Sequence, residues 1–313
     1  MSNEEQHASG RPGCIDPVSE PRWHWEARYR AGDGDRVRDE SETPEARPAG
    51  ALPVAIADQD PVASLLRGRQ PAFFLDYDGT LTPIVDRPEA ARLSTAMRDT
   101  LIRLAGRYPV AILSGRDLAD LRAMVGIDGI AYAGSHGFDI LTPEGRRFQQ
   151  GTEFLNLLDT AGRELGDGVA EIPGAWVERK RFAVAVHFRQ VDPGAIPAVD
   201  RVVGDVAAHH PQLRRTGGKK VFELRPDIDW NKGSAVRLLL DDLDLDHPHV
   251  ALMDIGDDET DEDAFWAVRD RGLGIVVAEE QSDRPTLALL RLPDPEGVRR
   301  FLDALATHPS QGP

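Results

Sequence analysis

The chain has 313 residues, 41% of them apolar and 29% charged, the balance of a globular protein long enough for two domains and a buried core. Its formal net charge of −16 argues against a protein that coats nucleic acid or an anionic membrane, although a few local cations or a metal can still serve a phosphate ligand. The single cysteine, Cys14, excludes a disulfide framework, and no apolar run approaches the ~20 residues of a membrane span.

In chain order, residues 1–55 carry scattered charge with repeated Pro and Gly, which predicts a disordered or loosely docked tail. Met1 to Pro21 holds no apolar stretch of signal-peptide length, so the expected location is the cytoplasm. The aromatic segment Trp23 to Arg30 reads either as a docking motif or as a sticky stretch of tail. From Ala57 the pattern changes. Ala72 to Leu75, Val110 to Leu113 and Ile130 to Ala133 are short continuous apolar runs, as expected of strands buried on both faces. Between them, Ser94 to Tyr108 and the stripe Leu118, Leu121, Val125 have helical spacing. Strand and helix in alternation predict a parallel βαβ sheet over 56–141.

The middle of the chain, 142–222, reads as an inserted α+β module. It has helices at Phe154 to Leu165 and Ile196 to His209. It also has an alternating strand, Val177 to Arg189, and a second near Lys220 to Arg225. The α/β grammar returns over 223–308, with helices at Lys232 to Leu243, Asp261 to Val268 and Pro295 to Ala306, and strands at Val250 to Ile255 and Gly274 to Ala278. Residues 309–313 form a short C-terminal tail.

The chemistry-bearing residues follow the ends of the core strands, where an open parallel sheet presents its ligand crevice. Asp76 and Asp78 stand two apart in LDYDGTL. The first can attack as a carboxylate and the second can serve as acid and base, although an acidic turn closed by Gly79 is the plainer reading. Ser114 opens a helix in SGR and is either an anion donor or an ordinary N-cap. Lys232 opens another helix and is one of only four lysines, so it is a candidate point charge for a phosphoryl group. The run from Gly256 to Asp263 is either a solvated acidic helix start or a metal site, with Asp257 as ligand, Asp258 as ligand or close neighbour, and Asp261 as cap. Converging carboxylates need a cation, and hard oxygen donors suit Mg²⁺.

These strings, in this order, resemble the four motifs of the haloacid dehalogenase superfamily. Together with GSHG (134–137), ERK (178–180) and VFELRP (221–226), they resemble the trehalose-6-phosphate phosphatases over residues 60–305. The resemblance implies a Rossmann-like parallel core with an inserted α+β cap, and hydrolysis of trehalose 6-phosphate through an aspartyl-phosphate. Asp76 would be the nucleophile and Asp78 the general acid/base. Ser114 and Lys232 would hold the phosphoryl group, and Mg²⁺ would sit on Asp76, Asp257 and the Asp78 carbonyl, with Asp258 nearby.

It further implies that Glu178, Lys180 and Glu223 grip the sugar. Gly115 and Arg116 are substrate-binding candidates as well, and His136, His187, Arg189 and Arg225 are weaker candidates by location. A trehalose-phosphate synthase is a partner the resemblance suggests; neither nucleic acid nor a membrane is. Other sugar phosphatases of this fold, of sucrose- or glucosylglycerate-phosphate type, share the core motifs. A catalytically dead sugar-phosphate regulator would have lost the acids present here. One feature resists: strict alternation puts Glu178 and Lys180 opposite His187 and Arg189, which a bulge near 180 would reconcile.

Overall fold

A computed structural model describes residues 46–307 apart from Asp86 and Lys219, and these belong to one compact unit, Pro44–Pro313. Cys14, the Trp23–Arg30 segment and the 309–313 tail lie outside the described residues.

The continuous apolar runs become the centre of an eight-stranded sheet. Its strands are β2 (Gln70–Asp76), β3 (Val110–Leu113), β4 (Ala131–Gly134), β5 (Asp139–Leu141), β6 (Arg147–Gln149), β11 (Val250–Gly256), β12 (Gly272–Val277) and β14 (Leu290–Leu292). Their order is β14-β12-β11-β2-β3-β4-β5-β6. Pairing is parallel from β14 to β4 and antiparallel from β4 through β6. Side chains alternate across it. Phe73, Leu75, Ile112 and Ile255 pack against helices α2 (Thr95–Ala105), α3 (Leu118–Val125) and α8 (Pro295–Thr307). Phe74, Ala111, Leu113 and Leu252 pack against α6 (Lys232–Asp242) and α7 (Glu262–Val268). Burial on both faces explains why these strands read as unbroken apolar runs. Ser94 caps α2 and Asn231 caps α6. No described helix is long and apolar enough to cross a membrane.

The inserted module is a four-stranded antiparallel sheet, β7-β8-β10-β9, built from β7 (Trp176–Arg179), β8 (Val184–His187), β9 (Leu213–Gly218) and β10 (Val221–Pro226). One face packs Val184, Val186 and Leu224 against α4 (Leu155–Val169) and α5 (Ile196–His209). The sheets divide the chain later than the 142–222 expected, since Arg147–Gln149 pairs in the core sheet and Val221–Pro226 in the module. The stretch expected as one alternating strand over 177–189 is two strands joined by a turn. Lys180 N donates to Ala183 O at 3.0 Å, and Glu178 stands opposite Ala185. Folding back restores the phase without a bulge, so Glu178 and His187 share a face.

Residues 46–55, expected in the tail, are ordered against the core. β1 (Arg47–Pro48) pairs with β13 (Pro285–Thr286), and Ala49 and Leu52 are buried against Phe265 and Val276.

Candidate active site

The residues expected to serve phosphate, sugar or metal, from Asp76 to Asp258, line one cavity of about 520 Å³ between the carboxyl ends of the core strands and the exposed face of the module, whereas Asp261, expected as a cap, lies behind its wall. On the core side, Asp76 ends β2 almost fully buried. Lys232, at the start of α6 and 2% exposed, donates to Asp76 Oδ1 at 2.7 Å and to Asp261 Oδ1 at 2.5 Å. Burial drives the Asp76 carboxyl well above the usual range. The neighbouring Asp261 and Asp257 charges add to this, and Lys232 opposes it. The same two partners, Asp261 and Asp76, outweigh the desolvation of Lys232 and keep it charged.

Carboxylate oxygens of Asp76, Asp257 and Asp261 lie within 4.8 Å of one another, a set of hard donors that fits a divalent cation. Here the geometry departs from expectation. The Asp258 side chain accepts from Glu259 N at 2.8 Å, while Asp261 Oδ2 accepts from Asp258 N at 2.9 Å. The two acids thus cap one another, as expected of Asp261, while Asp258 is a close neighbour whose carboxylate is not part of the trio. Asp258 caps the short turn Glu259–Asp261, and that turn swings Asp261 back to Asp76. Asp78 stands outside the carboxylate trio, and its side chain receives Arg116 Nε at 2.7 Å and Nη2 at 2.6 Å. Gly79 has a φ of +88°, and a Cβ there would run into the Asp257 carboxylate, so glycine is required for this approach. Ser114 is buried, and its Oγ accepts from Arg116 N at 3.2 Å.

On the module side, alternation aims Glu178, Ala185, His187, Glu223 and Arg225 at the core. Glu223 is the hub. It meets Lys180 Nζ at 2.9 Å, Arg225 Nε at 3.0 Å and His136 Nε2 at 3.6 Å. Burial alone would raise the Glu223 carboxyl, but Lys180 and Arg225 hold it well below the usual range. Burial would likewise raise Glu178, yet the His187 hydrogen bond at 2.8 Å and Lys180 lower it. His136 is neutral: burial, then Arg225, push it down to about 3. Its Nδ1 has no partner among the described residues. Gly115 lies against His136, and Arg189 lines the cavity wall.

Trp176, missed in the sequence reading, stacks on His187 at 3.9 Å between centroids and keeps 42% of its surface exposed in the cavity wall. Its only signal was position, two residues before Glu178 on the same face. A chain of net charge −16 thus concentrates Arg116, Lys180, Arg225 and Lys232 in one cavity, where an anion can bind.

The trehalose-phosphatase family model matches residues 74–296. A trehalose-phosphate phosphatase of Mycobacterium marinum is 42% identical over 286 residues, covering 90% of this chain and 70% of that protein. An uncharacterized glycosyl hydrolase of Mycobacterium tuberculosis is 47% identical over 267 residues; the match covers 82% of this chain, which spans only 20% of that relative. Among solved structures, a trehalose-6-phosphate phosphatase related protein superposes with a TM-score of 0.65 at 27% identity, covering 75% of this chain and 96% of that one.

Proposed function

The chain belongs to the trehalose-phosphatase family, and from that premise we propose that it hydrolyses trehalose 6-phosphate to trehalose and phosphate. The observation that carries this reading is that one cavity holds a buried carboxylate beside a lysine at one end and a polar, sugar-sized face at the other. Glu178, Lys180 and Glu223 present acceptors and a donor in fixed geometry, the pattern a ring of hydroxyls requires.

In the proposed mechanism, Asp76 attacks phosphorus and the bond from phosphorus to the sugar oxygen breaks. Asp78 gives its proton to the departing oxygen and then takes one from the water that cleaves the aspartyl-phosphate, which regenerates Asp76. Arg116, bonded to both Asp78 oxygens, orients that carboxyl and must release one oxygen before that oxygen can carry the proton. Lys232 and Ser114 hold phosphoryl oxygens, and Lys232 does so from a site already arranged around negative charge. Asp76, Asp257 and Asp261, with the Asp78 carbonyl, would hold Mg²⁺, which supplies charge neutralisation at the transferring group. The inserted module acts as the cap that excludes bulk water. We assign the reaction to the cytoplasm, where a chain with one cysteine has no disulfide to form, and a trehalose-phosphate synthase as the partner that supplies the ester.

The test is phosphate release with Mg²⁺ from trehalose 6-phosphate, sucrose 6-phosphate, glucosyl-3-phosphoglycerate and glucose 6-phosphate, with Asp76→Asn alongside. The expected result is preference for trehalose 6-phosphate and a loss of about 10⁴-fold or more in the variant. Preference for another ester overturns the sugar assignment, and an active Asp76→Asn overturns the nucleophile.

A further inference from the structure

We propose that Asp117 is a positioning residue that sets the sugar-binding face of the module in register with the phosphoryl site. The inference rests on the function proposed above and adds a residue that the function did not use.

Asp117 sits at the N-cap of α3, with φ −60° and ψ 143°, where an aspartate ordinarily accepts from the backbone N–H of the second or third helical residue. It makes no such bond. Its two oxygens instead accept from Arg181 N at 3.0 and 2.9 Å, and Oδ1 also accepts from Ser135 Oγ at 2.9 Å. Arg181 belongs to the module: it is the second residue of the turn that joins β7 to β8. The helix forgoes its cap and the carboxylate reaches across the cavity edge to a backbone amide of the other layer.

The turn it grips is stiff. Lys180 N donates to Ala183 O, and Arg179 Nη1 donates to the carbonyls of Arg181 at 3.1 Å and Ala183 at 3.0 Å. Phe182 is fully buried and stacks on Phe138 of the core with centroids 5.9 Å apart. Lys180 Nζ reaches Gly115 O at 3.3 Å and Glu223 Oε1 at 2.9 Å. Two neighbouring residues of the turn are therefore docked on two residues of one core loop. That loop, 114–117, also carries Ser114 and the Arg116 that holds Asp78. The apolar Phe182 contact supplies adhesion but tolerates sliding, whereas a carboxylate bonded to one amide fixes position and direction. Shifting the turn displaces Glu178 and Lys180 relative to Asp76 and leaves the carboxylate–lysine centre untouched.

The experiment compares Asp117→Asn and Asp117→Ala with the wild-type full chain on trehalose 6-phosphate and on p-nitrophenyl phosphate, an ester too small to reach the module. Losing a charged hydrogen bond predicts that KM for trehalose 6-phosphate rises about tenfold in the alanine variant and less in the asparagine variant, which keeps one acceptor oxygen. Aryl phosphate turnover stays within about twofold. Equal losses on both esters, or no change on either, overturn the assignment. Amide hydrogen exchange at residues 180–183 reads the same contact without any substrate. Faster exchange in Asp117→Asn supports it, and unchanged exchange overturns it. A wild type that ignores trehalose 6-phosphate defeats the function proposed above, while the exchange measurement still decides the role of Asp117.

Discussion

His136→Asn isolates the cost of burying an imidazole beside the cavity. Burial and Arg225 lower the His136 pKa from 6.5 to about 3, so between those values the unfolded chain binds a proton that the folded chain refuses. The sign follows from linkage: stability is fully present above about pH 6.5 and is lost as pH falls towards about 3. At pH 5 the difference amounts to about 2 kcal/mol, against a few tenths at pH 7. Asparagine does not titrate and tolerates the left-handed backbone at this position, where φ is 56°. Any packing loss it causes is the same at both pH values and cancels. Urea unfolding of wild type and variant at pH 7 and pH 5 is the assay. The wild type should lose about 2 kcal/mol more than the variant on acidification, with the contributions of carboxylates other than Glu223, which His136 touches, common to both. Parallel losses would refute the claim that His136 is buried neutral. The corollary for catalysis is that titration of His136 does not shape the activity profile between pH 5 and 8.

Other perturbations test separate parts of the site. Asp261→Asn should weaken Mg²⁺ binding by calorimetry about 10- to 100-fold, whereas Asp258→Asn should change it far less; the reverse order would restore Asp258 as a ligand. Trp176→Ala should raise KM for trehalose 6-phosphate about two- to tenfold with kcat nearly unchanged, as loss of an aromatic surface at the sugar end predicts. Gly79→Ala should abolish Mg²⁺-dependent turnover and lower the stability of the metal-free chain by about 1 kcal/mol or more, because its Cβ meets Asp257 in a backbone region unsuited to alanine. An active, metal-binding Gly79→Ala would show that the loop relaxes freely.

The core was legible in the sequence because two independent signals coincide there. Unbroken apolar runs mark strands buried on both faces, and the chemical residues stand immediately after them, as at Asp76 and Ser114. The module was harder. The turn Lys180-Arg181-Phe182-Ala183 contains no Gly, Pro, Asn or Asp, so no turn residue announces a reversal, and its one trace was the change of phase between Glu178 and His187. That Asp261 both caps and joins the carboxylate trio was hidden for a related reason. Asp258 and Asp261 are both aspartates in an acidic run, and only the three-residue turn from Glu259 to Asp261 decides which one returns to Asp76. Residues 46–55 look like tail because their contacts are distant in sequence: Ala49 and Leu52 pack beside Val276 and Ala288.

The two layers divide the chemistry in a way that bears on how substrate choice changes. Asp76, Lys232, Asp257 and Asp261 come from the ends of buried core strands and the turns and helices that follow them, and Lys232 forms buried ion pairs with Asp76 and Asp261. Replacing one partner of a pair leaves buried charge uncompensated, at a cost of about 3–5 kcal/mol. The module face is built differently. Each residue that points to the cavity alternates with one that packs on α4 and α5, so Trp176, Glu178 and His187 can change while Val177, Val184 and Val186 keep the sheet in place. Glu223 is the exception, because Lys180, Arg225 and His136 all converge on it. A shift towards another sugar phosphate should therefore begin at Trp176, Glu178 and His187, and leave Glu223 and the core acids as they are.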